Sequence, residues 1–187
     1  DALPICQGRF RDAENLLGKA ARSDRSGKWN SALSAARRGS LEAQASAAIN
    51  KKDYTTARKL YTQMKDSLGG DPAGDIGLAR LSYELGEYSN AEKLYRAVIQ
   101  KNPQSNDARL GLILSLSAQG NDGEAQRLID QMPAGSLASA GGADVMRAAI
   151  AYESARRELR GGNSAGAERM LEDAIAYNPR YPWSRID

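Results

Sequence analysis

The feature that most constrains the fold of this chain is an internal repeat with a period of 34 residues. The stretches KKDYTTARKLY, LGEYSNAEKLY and QGNDGEAQRLI align without gaps, and they place Ala57, Ala91 and Ala125 at the same position. A period of this length is typical of helix-turn-helix units that stack on one another, because one pair of helices cannot bury its apolar face alone. The chain is therefore predicted to be an array of stacked helix pairs.

The residues around Ala91 explain how one repeat would fold. Gly86 is expected to end the first helix, where a positive φ or tight packing is needed, and Tyr88 is expected to wedge between the two helices. Ala91 is small enough to let the helices approach closely, and Tyr95 continues the apolar stripe of the second helix. Pro103 then stops that helix. These positions recur in the neighbouring copy, which makes the pattern specific.

The composition of the 187 residues agrees with packed helices. Aromatic residues make up 6% of the chain and its aliphatic content comes largely from Ala and Leu, which favours helices over a β-sandwich. The formal net charge of +3 is weak and opposite charges alternate, so no nucleic-acid partner is expected. The longest strongly apolar stretch runs from Gly111 to Leu116. A transmembrane helix needs roughly 20 such residues, so no membrane span is expected.

Two weaker copies extend the array in both directions when insertions are allowed. In GRFRDAENLLGKA, Gly8 matches the helix-ending glycine, and in GGNSAGAERMLEDAIAYNP, Ala167 matches the small residue at the close contact. The surplus residues after the first copy predict one elongated helix of about 20 residues, which Gly39 is expected to bend or divide. The surplus before the last copy falls on Ala134 to Asp144, whose composition predicts a loop.

These copies give the expected domain organisation, which is one array over residues 1–187 with both ends cutting through a repeat. Its expected parts are a partial repeat (1–25), a repeat with an elongated first helix (26–70), a repeat (71–104), a repeat with a short second helix and a loop (105–144), a repeat (145–180) and the start of the next (181–187). The pattern resembles the tetratricopeptide repeat. That resemblance implies an all-α solenoid, a right-handed superhelix of helix-turn-helix pairs.

Catalysis has few candidate residues in this chain. His is absent, which removes the commonest general base, the catalytic pairs that depend on it and the usual zinc ligands. Cys6 stands alone, and its apolar neighbours favour a small buried hydrophobe over a reactive thiol. The chain is therefore expected not to be an enzyme and to have no catalytic residue, no metal site and no cofactor.

Binding is the better prospect, because the inner face of a solenoid is lined by first-helix residues that the core does not require. Tyr152, Arg156 and Arg160 follow i, i+4, i+8 spacing and would form one column. The candidate binding residues of this inner face are Arg80, Tyr83, Glu84, Tyr152, Arg156 and Arg160. Tyr and Arg together suit an acidic peptide or the ring faces of a sugar. The alternative is that Arg80 and Glu84 form a plain surface ion pair and that the arginines only keep the face hydrated.

A longer pattern narrows the function. KWNSAL precedes the oversized helix, two well-matched repeats follow, and then come the shortened helix EAQRLIDQMP, a Gly/Ser loop and NPRYPWSRID. In this order the features resemble the periplasmic repeat region of the cellulose export proteins, a family of bacterial cellulose synthase components. The resemblance implies a scaffold segment of a cellulose, that is exopolysaccharide, synthesis and export complex, in the periplasmic part of a Gram-negative outer-membrane protein. Its implied partners are protein subunits of that complex, with the glucan or the cell wall in addition.

The repeat pattern by itself also fits a generic peptide-docking module, such as an assembly factor or a co-chaperone. A co-chaperone that clamps C-terminal carboxylates needs a dense cluster of Lys and Asn on its inner face. Asn50 and Lys51 are too few to make one. From the sequence alone the export scaffold is therefore the preferred interpretation, and the docking module is the alternative.

Overall fold

The structure is a computed structural model that describes residues 3–24, 26–139 and 141–179, with the backbone alone for residues 3–8 and for Ser139. This part of the chain contains ten α-helices and no β-strand, which confirms the predicted all-α fold. The helices are α1 (Leu3–Ser23), α2 (Asn30–Asn50), α3 (Tyr54–Ser67), α4 (Ala73–Glu84), α5 (Tyr88–Lys101), α6 (Asn106–Ala118), α7 (Asp122–Asp130), α8 (Ala134–Ser139), α9 (Ala143–Arg160) and α10 (Ser164–Tyr177). They form two compact units, Asp1–Leu81 and Ser82–Asp187. The predicted start of a further repeat at 181–187 lies outside the described residues.

The small residues of the repeat are buried, as the predicted close contacts between helices require. Ala57, Ala91 and Ala125 have no exposed surface, and Ala167 is 1% exposed. They lie near the starts of α3, α5, α7 and α10, the second helices of their pairs. The register predicted from the sequence is therefore confirmed at all four positions.

The turn within each helix pair uses a left-handed residue at the same position of the repeat. Gly86, Gly120 and Gly162 have φ angles of 76°, 90° and 80°, which confirms the prediction for Gly86. Lys52 occupies this position in the preceding pair with a φ of 58°, and no other described residue except glycine has a positive φ. A side chain is unfavourable there because its Cβ crowds the backbone carbonyl.

We expect Lys52→Gly to raise the free energy of unfolding of the first unit by about 1 kcal/mol. Glycine avoids the roughly 1–2 kcal/mol strain of the left-handed conformation. It also raises the conformational entropy of the unfolded chain, which offsets part of that stabilisation. Urea unfolding followed by circular dichroism measures the change. Lys51→Gly is the matched control, since Lys51 has a φ of −87° and no such strain to relieve. An equal change in the free energy of unfolding of the two variants would contradict the prediction.

A second register, which the sequence analysis did not identify, joins consecutive repeats through a tyrosine and a glycine. The ring of Tyr61 in α3 lies against Gly77 in α4, and the ring of Tyr95 in α5 lies against Gly111 in α6. A Cβ added to either glycine would lie 2.1 Å from a ring carbon. Both tyrosine side chains are buried. The missing side chain of each glycine therefore lets the second helix of one repeat approach the first helix of the next.

The N-terminal helices are more continuous than the sequence predicted. Helix α2 has 21 residues, close to the expected length, but the prediction that Gly39 divides it is wrong. A Cβ at Gly39 would lie 2.6 Å from the ring of Phe10, so this glycine makes room for α1 to pack on α2. Helix α1 likewise runs through Gly8 without ending there, because one glycine costs an interior turn only about 1 kcal/mol.

The segment from Ala134 to Asp144 is not the loop that its composition predicted. Helix α8 occupies its first six residues, and α9 begins at Ala143. The carbonyl of Pro133 accepts hydrogen bonds from the amides of Ser136 and Leu137, which starts α8 directly after the proline. Composition alone overlooked this local start signal.

Helix α7 is the shortest of the second helices. It has nine residues, whereas α3, α5 and α10 have 14 each. Ala125 and Ile129 are its buried apolar residues, and neither has any exposed surface. The chain then turns at Gln131, which ends this helix early.

Candidate functional site

Five polar and aromatic side chains from three helices meet in the second unit, and we call them the tyrosine–arginine cluster. They are Tyr83 of α4, Tyr88 of α5, and Glu153, Arg156 and Arg160 of α9. The rings of Tyr83 and Tyr88 meet edge to face, with centroids 5.3 Å apart and planes at 61°. The guanidinium of Arg160 lies over the Tyr88 ring, 5.7 Å from its centroid, and its Nη1 donates to the Tyr88 hydroxyl at 3.5 Å. The cluster thus combines aromatic faces with cationic donors.

Glu153 places a buried carboxylate in the cluster. Its side chain is only 6% exposed, and one carboxylate oxygen, Oε1, accepts from Nη1 of Arg156 at 2.9 Å. The other oxygen, Oε2, is buried and has no hydrogen-bond partner among the described residues. A buried carboxylate is costly without a counter-charge, so Arg156 is the group that stabilises it.

The same carboxylate changes the ionisation of its neighbours. Burial, and after it the charge and hydrogen bond of Glu153, raise the pKa of the Tyr83 phenol, while the charge of Arg156 opposes this. Burial lowers the pKa of Arg156, but the attraction of Glu153 outweighs it and the net pKa is raised. Tyr83 therefore stays neutral, and Arg156 stays charged, over the whole physiological range.

We expect the raised pKa of Tyr83 to make the second unit lose stability at alkaline pH. An unfolded tyrosine ionises near pH 10, whereas Tyr83 in the folded chain ionises at higher pH, so its contribution to stability is complete below about pH 10 and declines above it. Tyr83→Phe should therefore flatten the fall of the unfolding free energy between about pH 9.5 and 11.5. Tyr177→Phe, which changes an exposed tyrosine, is the control. Equal slopes in the two variants would rule out this role of Tyr83.

The structure assembles half of the predicted binding residues. The three that lie in the cluster are Tyr83, Arg156 and Arg160. Glu84 is exposed one residue after Tyr83, and Tyr152 is half-buried one residue before Glu153. Arg80 is exposed on the part of α4 that belongs to the first unit.

Sequence reasoning missed Glu153 and gave Tyr88 a packing role only. Tyr88 does pack against Tyr83, but it also carries Arg160 on its ring. The signal for Glu153 was its i, i+3 spacing from Arg156, which is a usual geometry for an ion pair on a helix. Its interaction with Tyr83 of α4, 70 residues earlier, could not be predicted from that spacing.

A second polar group, the Asp122 network, joins α6, α7 and α9. Oδ2 of Asp122 accepts from Nη2 of Arg157 at 2.7 Å and from the hydroxyl of Ser154 at 3.1 Å. Oδ1 accepts from the hydroxyl of Ser117 at 2.7 Å, and Arg157 also donates to the carbonyl of Ser117. Protein donors occupy both oxygens of Asp122, so this network stabilises the packing of α6, α7 and α9. It leaves few acceptor positions for a ligand.

The described residues contain no group of three or more His, Cys, Asp or Glu side chains that are placed to hold a metal ion. No helix in the same part of the chain is long and apolar enough to cross a membrane. The side chain of Cys6 lies outside the described residues, so its predicted burial stays a prediction.

Repeating helix pairs, a small residue at each close contact and a left-handed turn residue define the class of this chain. Its fold is all-α and of the tetratricopeptide-repeat type, and residues 82–136 match the family model described as tetratricopeptide repeat. The predicted all-α tetratricopeptide-repeat fold is therefore confirmed, and the right-handed superhelix stays a prediction.

The wider similarity is to a named bacterial protein. The chain is 34% identical to cellulose synthase operon protein C of Xanthomonas axonopodis pv. citri (strain 306), over 97% of this chain and 12% of that protein. It is 30% identical to cellulose synthase operon protein C of Pseudomonas fluorescens (strain SBW25), over 96% of this chain and 14% of that protein. Cellulose synthase 1 operon protein C of Komagataeibacter xylinus is 26% identical over 97% of this chain, which spans 13% of that protein. The resemblance inferred from the sequence is confirmed, and the chain spans about an eighth of these relatives.

Proposed function

We propose that this chain is a non-catalytic scaffold segment of a bacterial cellulose synthesis and export complex, and that it holds protein subunits of that complex. The observation that carries the proposal is the similarity of nearly the whole chain to three proteins named for the cellulose synthase operon. In this proposal the segment lies in the periplasm and is part of an outer-membrane protein of a Gram-negative bacterium.

The tyrosine–arginine cluster supplies chemistry that suits a protein partner. Arg160 is exposed and forms no ion pair among the described residues, so it is free to pair with a carboxylate of the partner. Tyr88 lies under it and adds apolar contact area. Tyr and Arg are the side chains that most often dominate binding energy at protein interfaces. Tyr152 and Glu84 extend the same proposed inner face.

The proposal includes weak contact with the glucan itself. A neutral sugar offers hydroxyl groups to the arginine donors and apolar ring faces to the tyrosines. The contact area for each sugar is small, so the dissociation constant should be about 1 mM, which corresponds to about −4 kcal/mol. Weak binding suits a polymer that has to slide past.

Photo-crosslinking tests the scaffold. A photoreactive phenylalanine analogue is placed at Tyr152 or Arg160 of the full-length protein in cells that make cellulose, with Glu172 on α10 as the matched exposed control. We expect Tyr152 and Arg160 to yield adducts with subunits of the cellulose synthase complex and Glu172 to yield none. Adducts with unrelated proteins alone would favour the generic peptide-docking module, and the absence of any adduct would contradict both.

The glucan contact is tested separately by titration. Cello-oligosaccharide is added to about 5 mM to the isotope-labelled chain, and amide shifts of α4 and α9 are followed by nuclear magnetic resonance. We expect small saturable shifts that Tyr152→Ala and Arg160→Ala reduce and that the exposed control Tyr177→Ala leaves unchanged. If no resonance of α9 moves while crosslinking to a protein of the synthase complex succeeds, the glucan contact is wrong and the protein scaffold stands.

A further inference from the structure

A groove lies between α5, α6 and α7 of the second unit, and it shares no residue with the tyrosine–arginine cluster. Its volume is about 720 Å³. This size falls within the roughly 300–1,000 Å³ of typical ligand pockets and accommodates a few side chains of a peptide. The groove is lined by the apolar side chains of Ala97, Ile99 and Leu128 and by the cations Lys93, Arg96 and Arg109, among others.

The groove lies at the early end of α7. Leu128 lies in the last turn of α7, and Gln131 and Met132 follow immediately after its end at Asp130. The corresponding helices α5 and α10 are five residues longer. Five further helical residues would extend α7 by about 7.5 Å. Leu128 is partly exposed at this early end, and Ala97 and Ile99 of α5 line the same groove with accessible surface.

The charge of the groove is one-sided. Lys93, Arg96 and Arg109 line it, and no carboxylate does. Arg96 is already neutralised, because it pairs with Glu92 at 2.9 Å and with Glu124 at 2.8 Å. Lys93 and Arg109 form no ion pair with any residue that the structure describes. Neither cation is therefore held in a direct ion pair by a described side chain, although Lys93 lies close enough to Glu92 to lower the pKa of that carboxyl.

Arg109 adds a specific hydrogen-bonding requirement. Its Nη2 donates to the carbonyl of Pro103, whereas Nη1 is buried and has no hydrogen-bond partner in the described part of the chain. A buried donor without an acceptor is unfavourable, and a carboxylate is the acceptor that best satisfies a guanidinium.

We infer that this groove is a docking site for a short amphipathic segment of a partner protein, whose apolar side chains contact Ala97, Ile99 and Leu128 and whose carboxylates pair with Lys93 and Arg109. The positive edge favours an acidic segment over a basic one. None of the lining residues is aromatic, so the groove offers no platform for stacking a sugar ring. This site is separate from the proposed inner face, and it would let the chain hold a second partner at the same time.

Selection from a phage-displayed library of random 12-residue peptides against the whole 187-residue chain tests this inference. We expect the enriched peptides to combine two or more large apolar residues with at least two Asp or Glu. Ala97→Glu, which places a carboxylate in the groove at an exposed position, should weaken their binding at least about tenfold. Ala176→Glu, at an exposed alanine of α10, is the matched control and should leave binding unchanged.

A second test reverses the charges of the groove and of the peptide, so that the result does not depend on Ala97→Glu alone. Lys93→Glu should weaken binding of the acidic peptides and strengthen binding of counterparts in which every Glu is replaced by Lys. If Ala97→Glu does not fold, Gln100→Glu provides the second added charge within the groove.

Three outcomes would overturn the inference. They are the enrichment of basic or neutral peptides, the absence of any enrichment, and binding that Ala97→Glu and Lys93→Glu leave unchanged. Binding that Tyr152→Ala abolishes while Ala97→Glu does not would assign the peptides to the inner face instead. The scaffold proposal is judged by crosslinking at Tyr152 and Arg160, so it can stand or fall independently of the groove.

Discussion

Gly111→Ala should lower the free energy of unfolding of the second unit by about 1–3 kcal/mol, although alanine is normally the better helix former. The added Cβ would lie 2.1 Å from Cζ of Tyr95, and this tyrosine is only 4% exposed. The ring cannot turn away without leaving the core, so α5 and α6 have to separate or the ring has to adopt a strained rotamer. Urea unfolding followed by circular dichroism at 222 nm measures the loss.

Gly123→Ala in α7 is the control for this substitution, because it makes the same chemical change where nothing lies within 4 Å of the added Cβ. We expect it to raise stability by about 0.5–1 kcal/mol through helix propensity alone. Replacing the ring in the double variant Tyr95→Leu, Gly111→Ala should make the alanine much less costly than it is with the ring present. Similar effects of the two alanines, or no coupling with Tyr95, would contradict the proposed contact.

Ala91→Leu is expected to have the second large effect, a loss of about 1–3 kcal/mol. Ala91 has no exposed surface, and leucine would add three carbon atoms to a close contact between helices. Ala97→Leu is the matched control on the same helix, since Ala97 is exposed and its substitution should change stability by no more than about 0.5 kcal/mol. If the two variants are equally stable, the small residue of the repeat is not needed for close packing.

Much of the fold was predictable because it is specified locally and repeated. The period of 34 residues fixed the helix pairs, and it identified the alanines that the structure buries. Gly86 was predicted to end its helix at a positive φ or a tight contact, and the structure shows the positive φ, which few other residues adopt. Repetition made each of these predictions stronger, since the same residue type recurred at the same position.

The parts that were not predicted depend on contacts across repeats or on signals that composition hides. Tyr95 and Gly111 recur at the same spacing as Tyr61 and Gly77, but a glycine inside a helix does not show which side chain packs against it. Pro133 starts α8 in a segment whose Gly and Ser content indicated a loop. Glu153 was not identified, because the interaction of its buried carboxylate with Tyr83 joins residues that are 70 positions apart in the sequence.

The site residues were predicted only as positions on a helix face. Spacing placed Tyr152, Arg156 and Arg160 on one column, but it did not show that Arg156 is already paired with Glu153. Nor did it show that Arg160 lies on Tyr88. Pairing within the protein decides which donor is available to a partner, and only the three-dimensional arrangement of α4, α5 and α9 gives it.

The brevity of α7 also has a consequence for the order in which the second unit opens. Nine residues are too few for a helix to persist in isolation, so α7 depends on its buried Ala125 and Ile129 and on the Asp122 network. Its amides should therefore exchange with solvent through a local opening of low free energy, well before those of α6 and α9. Part of the force that opposes this opening is the attraction between Asp122 and Arg157, which dissolved salt screens. Leu128 belongs to the same helix, so each opening of α7 also removes one lining side chain from the groove. A peptide bound in the groove would therefore slow the amide exchange of α7.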